Sequence, residues 1–387
     1  MTTMQILVAT AYPPVLHMHG GGVRMYHNIR ILAQHHCVHV LSFVESDAER
    51  DLLGPLEGIC ASVKAVRRIP DFRPHWLSPL PFLVREFSTP EMHRAVDDVI
   101  RKAKIDVLQC EYLQMAQFRR RGVFSVLTAH EVLSKNARDA FIKERDPREK
   151  TRLFYRWMQL LRYEVRESGR FHRVITMTEE DARYLKSYLP GHDIRAIPIG
   201  IDPIEFSPLS DDPEQPLTAL FVGNFRHSPN VEAARFLVRE IAPAFPEVRF
   251  LVLGPHAPGD LHPGANVSVA GYVADTRRLH RRPNTIVVAP LFSGTGQRVK
   301  LLEAFCMACP VITTDVGVMG FPITNGQQAI VANTAEEFRS ALGVLIARPD
   351  YRRNMGDQAR KMILERFSWD GLARDFLHGV EKALVSN

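Results

Sequence analysis

The chain has 387 residues, 45% of them hydrophobic and 24% charged, enough for two globular domains with ample cores. No apolar run reaches the roughly 18 residues that span a bilayer, and five scattered cysteines suit a reducing compartment, not a disulfide framework. The formal charge is +6, with 30 basic against 25 acidic side chains in residues 1–205; this is too little to argue for nucleic acid, but it suits an anionic acceptor or an anionic lipid surface.

The opening residues, MTTMQILVATAYPP, lack a basic flank and run straight into a strand. No signal peptide is expected, and the cytoplasm is the expected location. Gln5 to Thr10 reads as a buried strand. A glycine loop, His19 to Gly22, follows, then an amphipathic helix from Arg24 to Ala33 and a strand from Val38 to Phe43. This opening marks a doubly wound α/β domain, whose ligands sit at the carboxyl ends of the strands. Residues 70–90 are rich in proline and aromatics. They read as a surface loop with an apolar patch that either packs on the domain or meets a lipid-linked acceptor. Asp106 to Glu111 and Phe124 to Thr128 are further strands, and the second delivers His130 and Glu131 to the same edge. A lone histidine is most often structural, but one placed there can steer a hydroxyl or move a proton.

Residues 136–170 read as a charge-laced helical region, with most charges on a solvated face. Val174 to Met177 is a strand, and Thr178 caps a helix with an acidic first turn. Ser207 to Pro216 has the polar, proline-rich composition of a linker. The domains are therefore expected at 1–206 and 217–387.

The second half restarts the pattern. Strands are predicted at Ala219 to Gly223, Phe250 to Gly254, Val267 to Val273 and Thr285 to Pro290. The densest signal runs from Val287 to Gly320. A small-residue loop, Ser293 to Gly296, opens onto a helix from Arg298 to Met307, and a β-branched strand, Val311 to Thr314, follows. A glycine loop at a helix start favours phosphate, through free backbone N–H groups and the positive end of the helix dipole. Arg298 and Lys300 add two cations, and Glu303 follows one turn after Lys300, about 5–6 Å away between Cβ atoms. The plainer alternative is an ordinary helix on which Lys300 and Glu303 form a solvated pair. Cys306 and Cys309 form a CxxC with no second pair and no histidine following, and are read as packing residues. A short strand at Ala329 to Ala332, a helical region at 335–366 and a last helix at about 369–385 complete the chain.

The stretch GTGQRVKLLEAFCMACPVITTDVG resembles the C-terminal signature of the retaining glycosyltransferases of family 4. Glu303 matches the second of that family's two glutamates, and Pro310-Val311-Ile312-Thr313 matches the strand after it. The first glutamate would fall at Thr295, a departure shared by the branch with G-x-G-x-R-x-K-x-L-E-A. Gly21 and Gly22 match the family's glycine pair near phosphate and acceptor. His130 resembles its acceptor-side histidine, and Ile197 to Asp202 resembles its iPnGvD stretch. Asn224 stands where many members carry an arginine, and Pro229-Asn230 where a lysine is expected. Charge neutralisation would then rest on Arg298 and Lys300, helped by Arg226.

The resemblance implies two doubly wound Rossmann-like domains facing across a cleft, the GT-B fold. Acceptor would bind the N-terminal domain and donor the C-terminal one, with closure over a hinge near 203–217 and the last helix crossing back to the first domain. It implies a retaining transferase that needs no metal and no cofactor, the nucleotide-sugar being substrate. Its partners would be that donor and a glycan or lipid-linked acceptor, as in bacterial polysaccharide assembly, with an anionic membrane surface as a peripheral contact. His130, Arg298 and Lys300 are the candidate catalytic groups. Gly223, Asn224, Arg226, Gly294, Thr295, Gly296, Gln297, Arg298, Lys300, Leu301 and Glu303 would bind donor, and no residue would bind metal. The rivals are a non-catalytic sugar- or nucleotide-binding member and a sugar-nucleotide epimerase of the same fold.

Overall fold

The computed structural model describes residues 3–16, 20–68, 80–209, 216–261, 264–273, 275–280, 284–369 and 371–372. They divide into two compact units that meet in sequence between Pro198 and Ile199.

The first unit holds a seven-stranded sheet in the order β3-β2-β1-β4-β5-β6-β7. The strands are β1 Gln5–Thr10, β2 Cys37–Val44, β3 Ser62–Arg67, β4 Val107–Glu111, β5 Phe124–Ala129, β6 Arg173–Thr176 and β7 Ile194–Ala196. Every pairing is parallel. Its helices are α1 Gly20–Ala33, α2 Asp47–Asp51, α3 Gly54–Glu57, α4 Phe82–Arg85, α5 Pro90–Ala103, α6 Leu133–Lys143, α7 Pro147–Ser168 and α8 Glu179–Tyr188. A parallel sheet is covered on both faces, so its inner strands are apolar throughout instead of alternating. Accordingly β4 and β6 are buried along their whole length, and β1 and β5 at all but their first residue.

Strand β3 escaped the sequence reading. It is an edge strand, its residues Ser62, Lys64 and Arg67 are exposed, and it lacks the apolar run of its neighbours. The glycine loop is corrected as well. Gly20 to Gly22 form the first turn of α1, which starts before Arg24. Thr178 does cap α8, accepting a hydrogen bond from the Asp181 N–H. Residues 70–79 of the proline-rich stretch lie outside the described residues.

The second unit has a six-stranded parallel sheet, order β10-β9-β8-β11-β12-β13. The strands are β8 Thr218–Val222, β9 Arg249–Leu253, β10 Val267–Ala270, β11 Thr285–Ala289, β12 Val311–Thr313 and β13 Ile330–Val331. The main helices are α9 Ser228–Phe236, α10 Val299–Cys306, α11 Ala335–Ala347 and α12 Pro349–Arg366. The region expected to be helical from 335 to 366 is thus two helices, because Pro349 cannot continue the first and starts the second. Cys306 and Cys309 are fully buried and not bridged.

Residues 199–206, grouped with the first domain by composition, pack with the second unit. The Ile199 N–H donates to Gln297 Oε1 at 2.6 Å, and the Ile201 N–H to the Phe367 carbonyl at 2.8 Å. Arg360 on α12 donates to the carbonyls of Pro203 and Phe206. These bonds outweigh the linker-like composition that begins at Ser207. The last helix expected at about 369–385 lies almost wholly outside the described residues. Among the described residues, no helix is long and apolar enough to cross a membrane.

Candidate functional site

In each sheet the strand order reverses at one point, which opens a crevice at the carboxyl ends of the flanking strands. In the first unit the reversal lies between β1 and β4, in the second between β8 and β11. The residues singled out from the sequence gather at these two places.

In the second unit, β11 ends at Ala289 and the chain enters the loop Ser293–Gly296 before α10. Gly294 and Gly296 take φ values of +106° and +76°, a region costly for any residue with a Cβ. Arg298 sits at the cap position of α10, where its guanidinium donates to the carbonyls of Thr295 at 2.6 Å and Ser293 at 3.4 Å. Arg298 therefore holds the glycine loop in shape, beyond the charge-neutralising role expected of it. Lys300 donates to Asn230 Oδ1 at 2.6 Å and lies 4.7 Å from the centre of the Phe221 ring. Asn230 in turn donates to the Asn224 carbonyl at 2.8 Å, and Asn224 Oδ1 accepts the Arg226 N–H at 3.0 Å. Gly223 is tight for the same reason, since a Cβ there would come within 3.0 Å of Asn230.

Asn224, Arg226 and Lys300 thus belong to one hydrogen-bonded cluster with Asn230 at its centre, and the glycine loop is held separately by Arg298. Sequence reasoning noted Asn230 only as the place of an absent lysine. Its pairing with Lys300, 70 residues away, left no local signal. The Leu301 side chain belongs to the core. It is fully buried, and the backbone N–H of Leu301 is taken by the Arg298 carbonyl at 2.9 Å.

Burial pushes the Lys300 amine down to about 7, and the Arg298 charge pushes the same way. Burial pushes the Glu303 carboxyl up to about 7, against the pull of Lys300. Among the described residues no hydrogen bond reaches the Glu303 carboxylate, and the buried Thr295 Oγ1 and Gln297 Nε2 have no partner. A buried polar group without a partner is costly. This cluster therefore presents unspent donors and acceptors beside two tuned charges, a set suited to an anion with hydroxyl groups attached.

In the first unit, β4 ends on Glu111, whose register partners are Thr10 on β1 and Thr128 on β5. His130 follows β5 on the same face as Thr128. His130 Nε2 lies 2.6 Å from Glu111 Oε2, and Gln109 donates to the other carboxylate oxygen. The Tyr112 ring stacks on the imidazole at 4.0 Å between centres and 13° between planes. Arg24 on α1 is wholly buried and donates to the carbonyls of Ile197 and Pro198, both at 2.7 Å. Burial pulls the Glu111 carboxyl up, but the hydrogen bonds from His130 and Gln109 and the nearby charges outweigh it and hold it below the usual range. Burial pushes His130 down, and Glu111 only partly restores it.

Gly21 is required by contact. An ideal Cβ there would lie 1.8 Å from Tyr112 Oη and 3.2 Å from His130 Nδ1. The sequence thus marked Gly21 and His130 but missed Arg24, Tyr112 and Glu111. The available signal was a charged residue, Glu111, closing an otherwise apolar strand.

Comparison with known proteins gives matches along most of the chain. Residues 18–205 match Glycosyltransferase Family 4, and residues 216–348 match Glycosyl transferases group 1. The chain is 27% identical over 223 residues to the D-inositol 3-phosphate glycosyltransferase of Rhodococcus erythropolis, a span of 52% of this chain and 47% of that protein. The match thus covers about half the length of that curated relative. Among solved structures, sucrose-phosphate synthase from Thermosynechococcus elongatus has a TM-score of 0.78 at 17% identity, covering 99% of this chain and 100% of the other. Anabaena HepE in complex with UDP-glucose has a TM-score of 0.70 at 15% identity, covering 98% and 100%. At these identities the likeness is one of fold, and the fold is GT-B.

Proposed function

The chain belongs to the group 1 glycosyltransferases, and on that premise we propose that it moves a sugar from a nucleotide-sugar donor to a glycan or lipid-linked acceptor, with retention and without a metal. The observation that carries this reading is the pair Lys300 and Glu303 on the first turns of α10, beside a loop with unpartnered Thr295 Oγ1 and Gln297 Nε2. Lys300 and the helix start receive the leaving diphosphate and stabilise the charge that grows on it. The two cations supply the positive charge that a metal supplies elsewhere. Glu303 accepts from the ribose hydroxyls. The loop Gly294–Gly296, held by Arg298, takes the sugar through backbone groups and Thr295. Arg226, exposed and with no side-chain partner among the described residues, is a further cation for the phosphates.

The same proposal places the chain at the cytoplasmic face of an anionic membrane. In support, Ile142, Phe154 and Tyr155 on α6 and α7 are exposed, and Arg145, Arg148 and Arg156 in the same stretch are exposed as well. Apolar side chains set among cations suit a surface of anionic lipid. Co-sedimentation with phosphatidylserine vesicles, and its loss with salt or in Phe154→Ser/Tyr155→Ser, tests this part alone.

The donor reading is tested by calorimetry against nucleoside diphosphates and their sugars, UDP-glucose first, with and without EDTA. Binding of one base that survives EDTA, and that Lys300→Ala and Glu303→Ala both weaken without changing the melting of the free protein, is the expected result. Wild-type affinity in either variant removes that residue from the site. Product NMR of the anomeric proton decides retention.

A further inference from the structure

The buried set around His130 holds more than the role given to it so far. Glu111 is wholly buried and has both carboxylate oxygens engaged, one by Gln109 and one by His130 Nε2. An ionised carboxylate only accepts, so the shared proton sits on Nε2 of the ring. The other ring nitrogen, Nδ1, then carries a lone pair. It is buried, has no partner among the described residues, and points toward the first turn of α1 at Gly21. Tyr112 stacks on the ring and holds its plane, and does so from a backbone φ of +77°, a strained value for a tyrosine. Strain of this kind persists only where its surroundings over-determine it.

We propose that Glu111 is a positioning residue that fixes His130 as the neutral Nε2–H tautomer, so that His130 meets substrate as a hydrogen-bond acceptor through Nδ1. The ligand group it takes is an O–H, the hydroxyl of a sugar. This deepens the reading given above, and rests on it for the identity of that sugar. It also makes His130 an acceptor, not the source of a proton. The charged and titratable groups facing the ring agree with this. They are Glu111 from β4, Tyr112 just after it and Arg24 from α1, whose guanidinium opposes an imidazolium.

The test is the tautomer itself, read by long-range 15N–1H correlation of ring-labelled histidine in the full chain, with His130→Gln used to assign the signals. The expected wild-type result is protonated Nε2 and bare Nδ1 from pH 6 to 8. In Glu111→Gln, Gln109 still donates to the Oε1 at position 111. The new amide then faces the ring as a donor, and the ring proton must move to Nδ1. The expected outcome is a switched tautomer and a fall in kcat of about tenfold or more, with the donor KM little changed. A purely structural role would lower the melting temperature and leave the tautomer alone. Protonated Nδ1, or imidazolium at pH 7, in the wild type overturns the proposal, as does an unswitched tautomer in folded Glu111→Gln. If that variant does not fold, the wild-type spectrum decides. If the wild type turns over no donor, the tautomer still reports on Glu111, so the two readings fail separately.

Discussion

The two switch points of this molecule share one plan and solve opposite problems. Around His130 the ionisable groups Glu111, Arg24 and the imidazole are all buried. Glu111 is held ionised by two hydrogen bonds, Arg24 is fixed on two carbonyls, and the imidazole is kept neutral. Around Lys300 the charges are half-buried and left near their titration point, with Lys300 and Glu303 both brought to about 7. A site that orients a neutral hydroxyl needs rigid direction. A site that receives a diphosphate, as proposed for this one, gains from a cation that titrates near neutrality and, among the described residues, is bonded only to a neutral partner, as Lys300 is to Asn230.

The sharpest way to break this contrast is Lys300→Ala. If Lys300 waits for the diphosphate, the variant loses about 1.5–3 kcal/mol of binding, roughly tenfold to a hundredfold in Kd by calorimetry. The free protein should melt no lower, because a cation held against burial is removed. At the other switch point, Gly21→Ala should destabilise by about 1–3 kcal/mol, since the stacked Tyr112 ring cannot yield cheaply to the added methyl. Denaturant midpoints measure this, and an unchanged midpoint would show the ring pair to be loose.

The comparison also has a pH signature. Burial and Arg298 bring Lys300 to about 7, and a diphosphate bound there, as proposed, would restore its proton. On that reading Lys300 takes up a proton on binding, and affinity should weaken as pH rises above about 7. Calorimetry in two buffers of different ionisation enthalpy counts that proton, and Lys300→Ala should abolish it. The smallest expected effect concerns Glu164 on α7, which accepts the N–H groups of Leu133 and Ser134 at the start of α6, each at 3.0 Å. Burial raises its carboxyl to about 7. A folded-state pKa above the unfolded one contributes stability that is full below about 4.5 and lost as pH rises through about 7. The melting temperature of Glu164→Gln should vary less between pH 5 and 8 than that of the wild type.

The sequence revealed those parts of this structure whose cause is local. Strands β1, β4, β5 and β11 were legible because burial on both faces writes a continuous apolar run. The loop before α10 was legible because positive φ calls for glycine, and Thr178 because a cap bonds its own helix. What stayed hidden is made of partners far apart in the chain. Lys300 meets Asn230, and Arg24 meets the carbonyls of Ile197 and Pro198, with no trace in either local pattern. Gly20 to Gly22 were read as a loop because glycine is a poor helix former. In the fold, Gly21 is needed for close approach at a helix start, and tertiary contact outweighs propensity.

That close approach limits how this protein can change over generations. No single substitution at position 21 fits while Tyr112 keeps its hydroxyl, and removing the hydroxyl alone still leaves the ring carbon Cζ 3.0 Å from a new Cβ. Drift at 21 must therefore follow a smaller residue at 112, and a smaller residue at 112 unstacks His130. Positions 21 and 112 are locked into a joint inheritance, with the orientation of His130 depending on both. Among descendants of this sequence, a side chain at 21 should be found only where 112 has already been replaced.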